Sequence, residues 1–151
     1  MAAANWKRIC CCVDFSDASR AALEVAADLA RQRGAELTVL HAYPVPGYTF
    51  PDGSVVASPA MMQELAEGAT RHLEAWRKDA EGLGAPGARG VTAIGDPAHE
   101  IVAHAKANGV DLLVLGTHGR SGLLEHALLG SVAERVVRRA PCAVLTVRPP
   151  R

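Results

Sequence analysis

Short apolar runs alternate with longer amphipathic stretches along the chain. Five of the runs are predicted as strands, over residues 7–13, 36–42, 91–94, 111–115 and 142–147. The first and fourth runs are mostly apolar on both faces, which is typical of strands buried within a parallel sheet.

The stretches between these strands carry helical periodicity. The predicted helices cover residues 17–33, 59–83 and 97–108 and a last stretch that ends near residue 139. Ser16 and Ser58 stand where a capping side chain is favoured, and Gly34 and Gly109 stand where helices commonly end. The prolines and glycines between residues 43 and 58 predict a loop.

Strands that alternate with helices, without tight hairpin signals, predict an α/β fold. The arrangement expected is a right-handed, doubly wound parallel sheet of five strands. A length of 151 residues suits one domain, so residues 1–151 are predicted to fold as a single unit.

Composition narrows the possible partners. The chain is 49% hydrophobic but only 4% aromatic, which indicates a core of Ala, Val, Leu and Ile. Sixteen basic residues balance sixteen acidic ones, so no net field favours nucleic acid or an anionic membrane. The start of the chain lacks the apolar run of a signal peptide, and we expect a soluble, cytoplasmic protein.

The cysteines are interpreted as core residues. Cys10, Cys11 and Cys12 are adjacent on a strand, so they point alternately to its two faces and do not form a disulfide framework. A metal-binding or oxidation-sensitive pair is the alternative. The histidines show no recognisable metal spacing, and no metal site is predicted.

A glycine-rich segment follows the fourth strand. Residues 116–122 read Gly-Thr-His-Gly-Arg-Ser-Gly, and Gly130 precedes Ser131, which with Glu134 matches a capping box. Open α/β sheets bind ligands at the carboxyl ends of their strands, and glycine-rich turns and helix N-termini present amides to anions. The spacing alone also fits glycines that serve only as turn and cap residues. The chain has no P-loop motif.

The sequence resembles the universal stress protein family over nearly its whole length. The resemblance rests on segments 13–16 (Val-Asp-Phe-Ser), 95–97 (Gly-Asp-Pro), 109–111 (Gly-Val-Asp), 116–122, 129–134 (Leu-Gly-Ser-Val-Ala-Glu) and 140–142 (Ala-Pro-Cys). It implies a Rossmann-like, adenine-nucleotide-binding fold with strand order 3-2-1-4-5, and homodimerisation through the C-terminal strand.

In the nucleotide-binding branch of this family, the pattern Gly-x-x-Gly-x9-Gly-Ser/Thr cradles the phosphates of ATP. The matching positions here are Gly116, Gly119, Gly130 and Ser131. This chain has ten residues between Gly119 and Gly130 instead of nine. A bulge in the connecting turn would absorb the extra residue, whereas a rotation of Gly130 and Ser131 would take them away from the phosphates.

Further site residues follow from the same resemblance, for Asp14 and Ala42, or from their place beside the glycine-rich turns. Asp14 is expected on the ribose side, with a role as a turn residue as its alternative, and Ala42 offers main-chain groups to the adenine edge. His118 and Arg120 are candidates for contacting the nucleotide, although Arg120 also suits a solvated loop charge. The predicted set is completed by the neighbours of the two turns, Leu115 and Val132.

The function predicted is a homodimeric regulator of the stress response that binds ATP or AMP, with or without magnesium, and acts on an unidentified protein partner. A slow ATPase is one alternative, but the sequence shows no paired carboxylates and no lysine in the phosphate loop, so an enzyme is not expected. A nucleotide-free dimerising adaptor is the other alternative, which the ten-residue spacing keeps open.

Overall fold

A computed structural model describes residues 4–45, 48–49, 51–53, 55–118 and 129–151. Its elements, in chain order, are β1 (Arg8–Cys12), α1 (Asp17–Arg33), β2 (Glu36–Tyr43), β3 (Tyr48–Thr49), β4 (Val55–Val56), α2 (Pro59–Gly82), β5 (Arg89–Ile94), α3 (Pro97–Asn108), β6 (Leu112–Gly116), α4 (Ser131–Arg139) and β7 (Ala143–Val147).

The main sheet has five strands in the order β5-β2-β1-β6-β7, and every neighbouring pair is parallel. This is the predicted order 3-2-1-4-5, counted over the strands of this sheet, and the predicted fold class is confirmed. The order reverses at β1, which pairs with β2 on one side and with β6 on the other. The carboxyl ends of β1 and β6 therefore flank the position where open α/β sheets hold ligands.

The ends of three helices lie where the sequence predicted them. Ser16 caps α1 and accepts from the Ser19 amide, and Ser58 caps α2 in the same way. Gly34 and Gly109 adopt the left-handed conformation at the ends of α1 and α3. Each cap of this kind stabilises a helix by about 1 kcal/mol, so these boundaries are fixed locally.

Two local features differ from the sequence prediction. The segment predicted as a loop contains a two-stranded antiparallel sheet of β3 and β4. Strands of two residues are too short to show a periodicity. At α4 the N-cap is Gly130, with no side-chain cap hydrogen bond, so the predicted Ser131–Glu134 capping box does not form. Ser131 is the first helical residue, one position too late to cap.

The core has two layers, one on each face of the sheet. Ile9 and Cys11 pack with α1 and α2, whereas Cys10, Cys12 and Leu113 pack with α3 and α4. All three adjacent cysteines are buried, as expected for core residues, and burial raises the pKa of the Cys11 thiol far above its usual range. Within the described ranges, no group of three metal-ligand side chains converges. None of the described helices is long and apolar enough to cross a bilayer.

Candidate functional site

A cavity of about 350 Å³ opens at the carboxyl ends of β1 and β6. Every predicted site residue that the structure describes lines it: Asp14, Ala42, Leu115, Gly116, His118, Gly130, Ser131 and Val132. Gly119 and Arg120 lie outside the described residues. The fold thus brings together side chains and turns that are far apart in the sequence.

The two glycine turns are in direct contact. The Gly130 amide donates to the Thr117 carbonyl at 2.5 Å, and the Thr117 amide donates to the Val147 carbonyl at 2.9 Å. Thr117 is buried, with 3% of its surface exposed. The ten-residue spacing after Gly119 therefore leaves Gly130 and Ser131 at the cavity.

The first turn of α4 lies at the cavity. Its N-cap, Gly130, has no side chain that could bond the first amides of the helix, and Ser131, Val132 and Ala133 all line the cavity. The first N–H groups of a helix lack partners within the helix, and the helix dipole adds partial positive charge there. This end of the cavity is suited to an anion.

Gly116 is required for packing as well as for access. A Cβ at this position would lie 2.7 Å from the Ala18 Cβ and 2.9 Å from the Ala18 carbonyl carbon. The first turn of α1 therefore packs against the end of β6 with no room for a side chain. The sequence indicated an anion-binding glycine but gave no sign of this contact, which joins segments that are far apart in the sequence.

Asp14 both stabilises the turn after β1 and lines the cavity. Its Oδ1 accepts from the Ser16 amide at 3.0 Å and from the hydroxyls of Ser16 and Ser19, each at 2.5 Å. The Asp14 amide in turn donates to the Ser19 Oγ at 2.9 Å. Ser19 is 3% exposed and lines the cavity, and sequence reasoning missed it because its partner is set by the turn geometry.

Phe15 makes the reversal that this turn needs. Its φ of 65° is in the left-handed region, which costs a non-glycine residue on the order of 1 kcal/mol or more. The ring stacks on His72, with 3.7 Å between centroids, and lies 4.3 Å from the His41 ring. These contacts hold the residue while its neighbour Asp14 lines the cavity.

The main chain of Ala42 lies at the cavity because β1 ends early. Leu40 directs its carbonyl to β1, where it accepts from the Val13 amide at 2.8 Å. Ala42, two residues later, directs its N–H and C=O to the same side. The β1–β2 pairing has ended at Cys12 by then, and the Val13 carbonyl lies 2.8 Å from the His41 Nδ1. One donor and one acceptor are therefore presented side by side.

An ion pair joins two helices whose first residues line the cavity. Arg135 of α4 makes two hydrogen bonds to Asp96, the N-cap of α3, at 2.8 and 2.6 Å. These bonds, with that from the His99 amide, lower the pKa of Asp96 to about 2. The adjacent Pro97 and the start of α4 both line the cavity, so this pair fixes their separation.

The cavity combines three chemical environments. Its interior is apolar, with Leu40, Ile101 and Leu115 in the lining. Asp14 is the one carboxylate among the described lining residues, and amides are grouped at α4. The site therefore suits a ligand with an apolar part, a hydroxyl-bearing part and an anionic part.

The fold and this cavity define a class, that of open, doubly wound α/β proteins with a cavity at the topological switch point. The chain belongs to the universal stress protein family, whose family model matches residues 5–148.

Similar proteins extend over most of the chain. Universal stress protein YxiE of Bacillus subtilis is 37% identical over 142 residues, which cover 90% of this chain and 95% of that protein. The structure of UspA from Lactobacillus plantarum has a TM-score of 0.80 at 29% identity and covers 95% of this chain and 98% of its own. A universal stress protein solved in complex with cAMP has a TM-score of 0.70 at 28% identity, with 96% and 98% covered.

Proposed function

We propose that this protein binds an adenine nucleotide, ATP or AMP, in the cavity between β1 and β6 and acts as a homodimeric, cytoplasmic regulator of the stress response. The observation that carries the proposal is the hydrogen bond between the Gly130 amide and the Thr117 carbonyl. It brings the amides at the start of α4 and the Gly116 turn to one end of the cavity, where a single phosphate chain would meet both.

The three environments of the cavity suggest how the nucleotide lies. The adenine ring fits the apolar part near Leu40 and Ile101, with its edge at the main chain of Ala42. The ribose lies by Asp14, and the phosphates meet the first turn of α4 and His118. A universal stress protein of similar structure was solved in complex with cAMP, which supports an adenine nucleotide as the ligand.

Regulation without efficient catalysis is the second part of the proposal. The described lining residues offer one carboxylate and no lysine, so the chemistry available is that of holding a nucleotide. We propose that occupancy changes the surface offered to a protein partner. We therefore expect ATP hydrolysis to be slow compared with nucleotide binding. Single-turnover assays with purified protein measure the rate of hydrolysis.

Ser131 permits a matched test of nucleotide binding. It is exposed at the first position of α4 and lines the cavity. Ser131→Glu places a negative charge where the phosphates are proposed to lie, while a carboxylate at a helix N-terminus keeps the helix stable. We expect ATP affinity to fall by about tenfold or more relative to Ser131→Gln, which has the same shape without the charge.

Calorimetry and thermal shift with ATP and adenosine measure the effect. A ligand that binds only the folded state raises the melting temperature with concentration. Adenosine, which has no phosphate, should bind the two variants equally. A wild-type protein that shows no shift with millimolar ATP, and releases no nucleotide when denatured after purification, would contradict the proposal.

A further inference from the structure

Within the described part of the chain, the hydrogen bonds to the Asp14 carboxylate converge on one of its two oxygens. Oδ1 accepts from the Ser16 amide and from the Ser16 and Ser19 hydroxyls. Oδ2 takes no hydrogen bond from any residue that the structure describes. Asp14 lines the cavity, so this oxygen remains as an acceptor for a ligand.

The Ser19 hydroxyl bonds both the carboxylate and the main-chain amide of Asp14. Its hydroxyl donates to Oδ1 at 2.5 Å and accepts from the Asp14 amide at 2.9 Å. Ser19 itself is 3% exposed, and its amide donates to the Ser16 Oγ at 3.2 Å, within the first turn of α1. A buried hydroxyl bonded both to the main chain and to the carboxylate of one residue fixes the rotamer of that residue.

We propose that Ser19 is a positioning residue for nucleotide binding, which acts through Asp14. It holds Oδ1, so that Oδ2 accepts a hydrogen bond from a hydroxyl of the ribose. The inference rests on the proposed function and adds a selectivity to it. The preorganised carboxylate raises the affinity for ligands that have a sugar hydroxyl, and it does not raise the affinity for ligands that lack one.

Two other roles for Ser19 make different predictions. If Ser19 contacts the ligand directly, its loss affects binding even when Asp14 is absent. If Ser19 only stabilises the start of α1, its loss lowers the affinity for every nucleotide by the same factor. A role through Asp14 requires that the effect of Ser19→Ala depend on both the sugar hydroxyls and the Asp14 carboxylate.

The experiment measures dissociation constants by calorimetry for ATP, 2′-deoxy-ATP, 3′-deoxy-ATP and 2′,3′-dideoxy-ATP. Ser19→Ala should weaken ATP binding by about tenfold, the size of one charge-assisted hydrogen bond, and leave 2′,3′-dideoxy-ATP within about twofold. The two singly deoxygenated nucleotides identify the hydroxyl concerned. In an Asp14→Ala background, Ser19→Ala should have no further effect. Ser58→Ala, which removes a helix-capping hydroxyl from α2, controls for lost stability.

The outcomes separate this inference from the proposed function. Wild-type protein that binds none of the four nucleotides overturns both. The inference alone is overturned if the wild-type protein binds ATP and Ser19→Ala lowers the affinity for ATP and for 2′,3′-dideoxy-ATP by the same factor. An effect of Ser19→Ala that persists without the Asp14 carboxylate also overturns the inference alone. Faster hydrogen exchange of the Asp14 amide in Ser19→Ala reports the lost contact independently of any ligand.

Discussion

At the scale of single residues, glycines of this chain have opposite structural roles. Gly116 is enclosed by the first turn of α1, where a Cβ would lie 2.7 Å from the Ala18 Cβ. Gly68 lies within α2, and outside the backbone of that helix the nearest atom to a Cβ there is the end of the Arg71 side chain, at 3.9 Å. A methyl group is therefore excluded at the first position and accommodated at the second.

We expect Gly116→Ala to lower the free energy of unfolding by roughly 1 to 3 kcal/mol, the usual cost of overpacking. Gly68→Ala should raise it by about 0.5 to 1 kcal/mol, because alanine favours the helix. Urea denaturation of the two variants and the wild type measures both changes. Equal stability of Gly116→Ala and the wild type would contradict the tight packing of α1 on β6.

At the scale of elements, the ion pair between Asp96 and Arg135 joins the start of α3 to α4. The arginine bonds both carboxylate oxygens, and Asp96 also caps α3 by accepting from the His99 amide. The folded-state pKa of Asp96, about 2, is lower than its usual value of 3.8. The ionised form therefore contributes stability above about pH 4, and the contribution is lost as the pH falls towards 2.

Asp96→Asn isolates this contribution, because asparagine caps a helix about as well as aspartate. We expect the variant to melt at a lower temperature than the wild type above pH 5, with the difference shrinking between about pH 4 and pH 2. Arg135→Lys keeps the positive charge but cannot make the bidentate hydrogen bonds. Its melting temperature should lie between those of the wild type and Asp96→Asn. A difference in melting temperature between wild type and Asp96→Asn that stays constant down to pH 2 would contradict the expectation.

At the scale of the whole molecule, the edge of the sheet bears on assembly. β7 lies at one end of the strand order and pairs only with β6 among the described strands. The Val147 carbonyl accepts from the Thr117 amide on the β6 side. Main-chain groups alternate along a parallel strand, so those of Thr146 point outward and those of Leu145 point to β6. An exposed row of this kind favours pairing with a second strand.

Thr146→Pro tests the proposed homodimer. Proline removes an outward N–H and is tolerated on an edge strand, so we expect the variant to stay folded and become monomeric. Leu145→Pro, which removes an N–H that faces β6, should disrupt the fold instead. Light scattering gives the mass, and circular dichroism gives the folded fraction. A dimer that persists in Thr146→Pro would exclude pairing through β7.

The sequence alone determined the local features of this protein. Apolar runs and helical periodicity identified the strands of the main sheet and the helices, and Ser16, Ser58, Gly34 and Gly109 marked the helix ends. These signals suffice because strand burial, helix periodicity and capping depend on residues a few positions apart. The predicted strand order and the roles of Asp14 and Ala42 came from family resemblance, whereas the two glycine-rich turns were also marked by their residue types and their place after the fourth strand.

Tertiary structure alone decided how distant segments meet. Three contacts join segments that are not neighbours in the sequence: Thr117 with Gly130, Ala18 with Gly116, and Asp96 with Arg135. Such contacts depend on how the chain crosses the sheet, which spacing along the sequence does not encode. Ser19 lies only five residues from Asp14, yet its role appears only when the left-handed turn at Phe15 folds the two together.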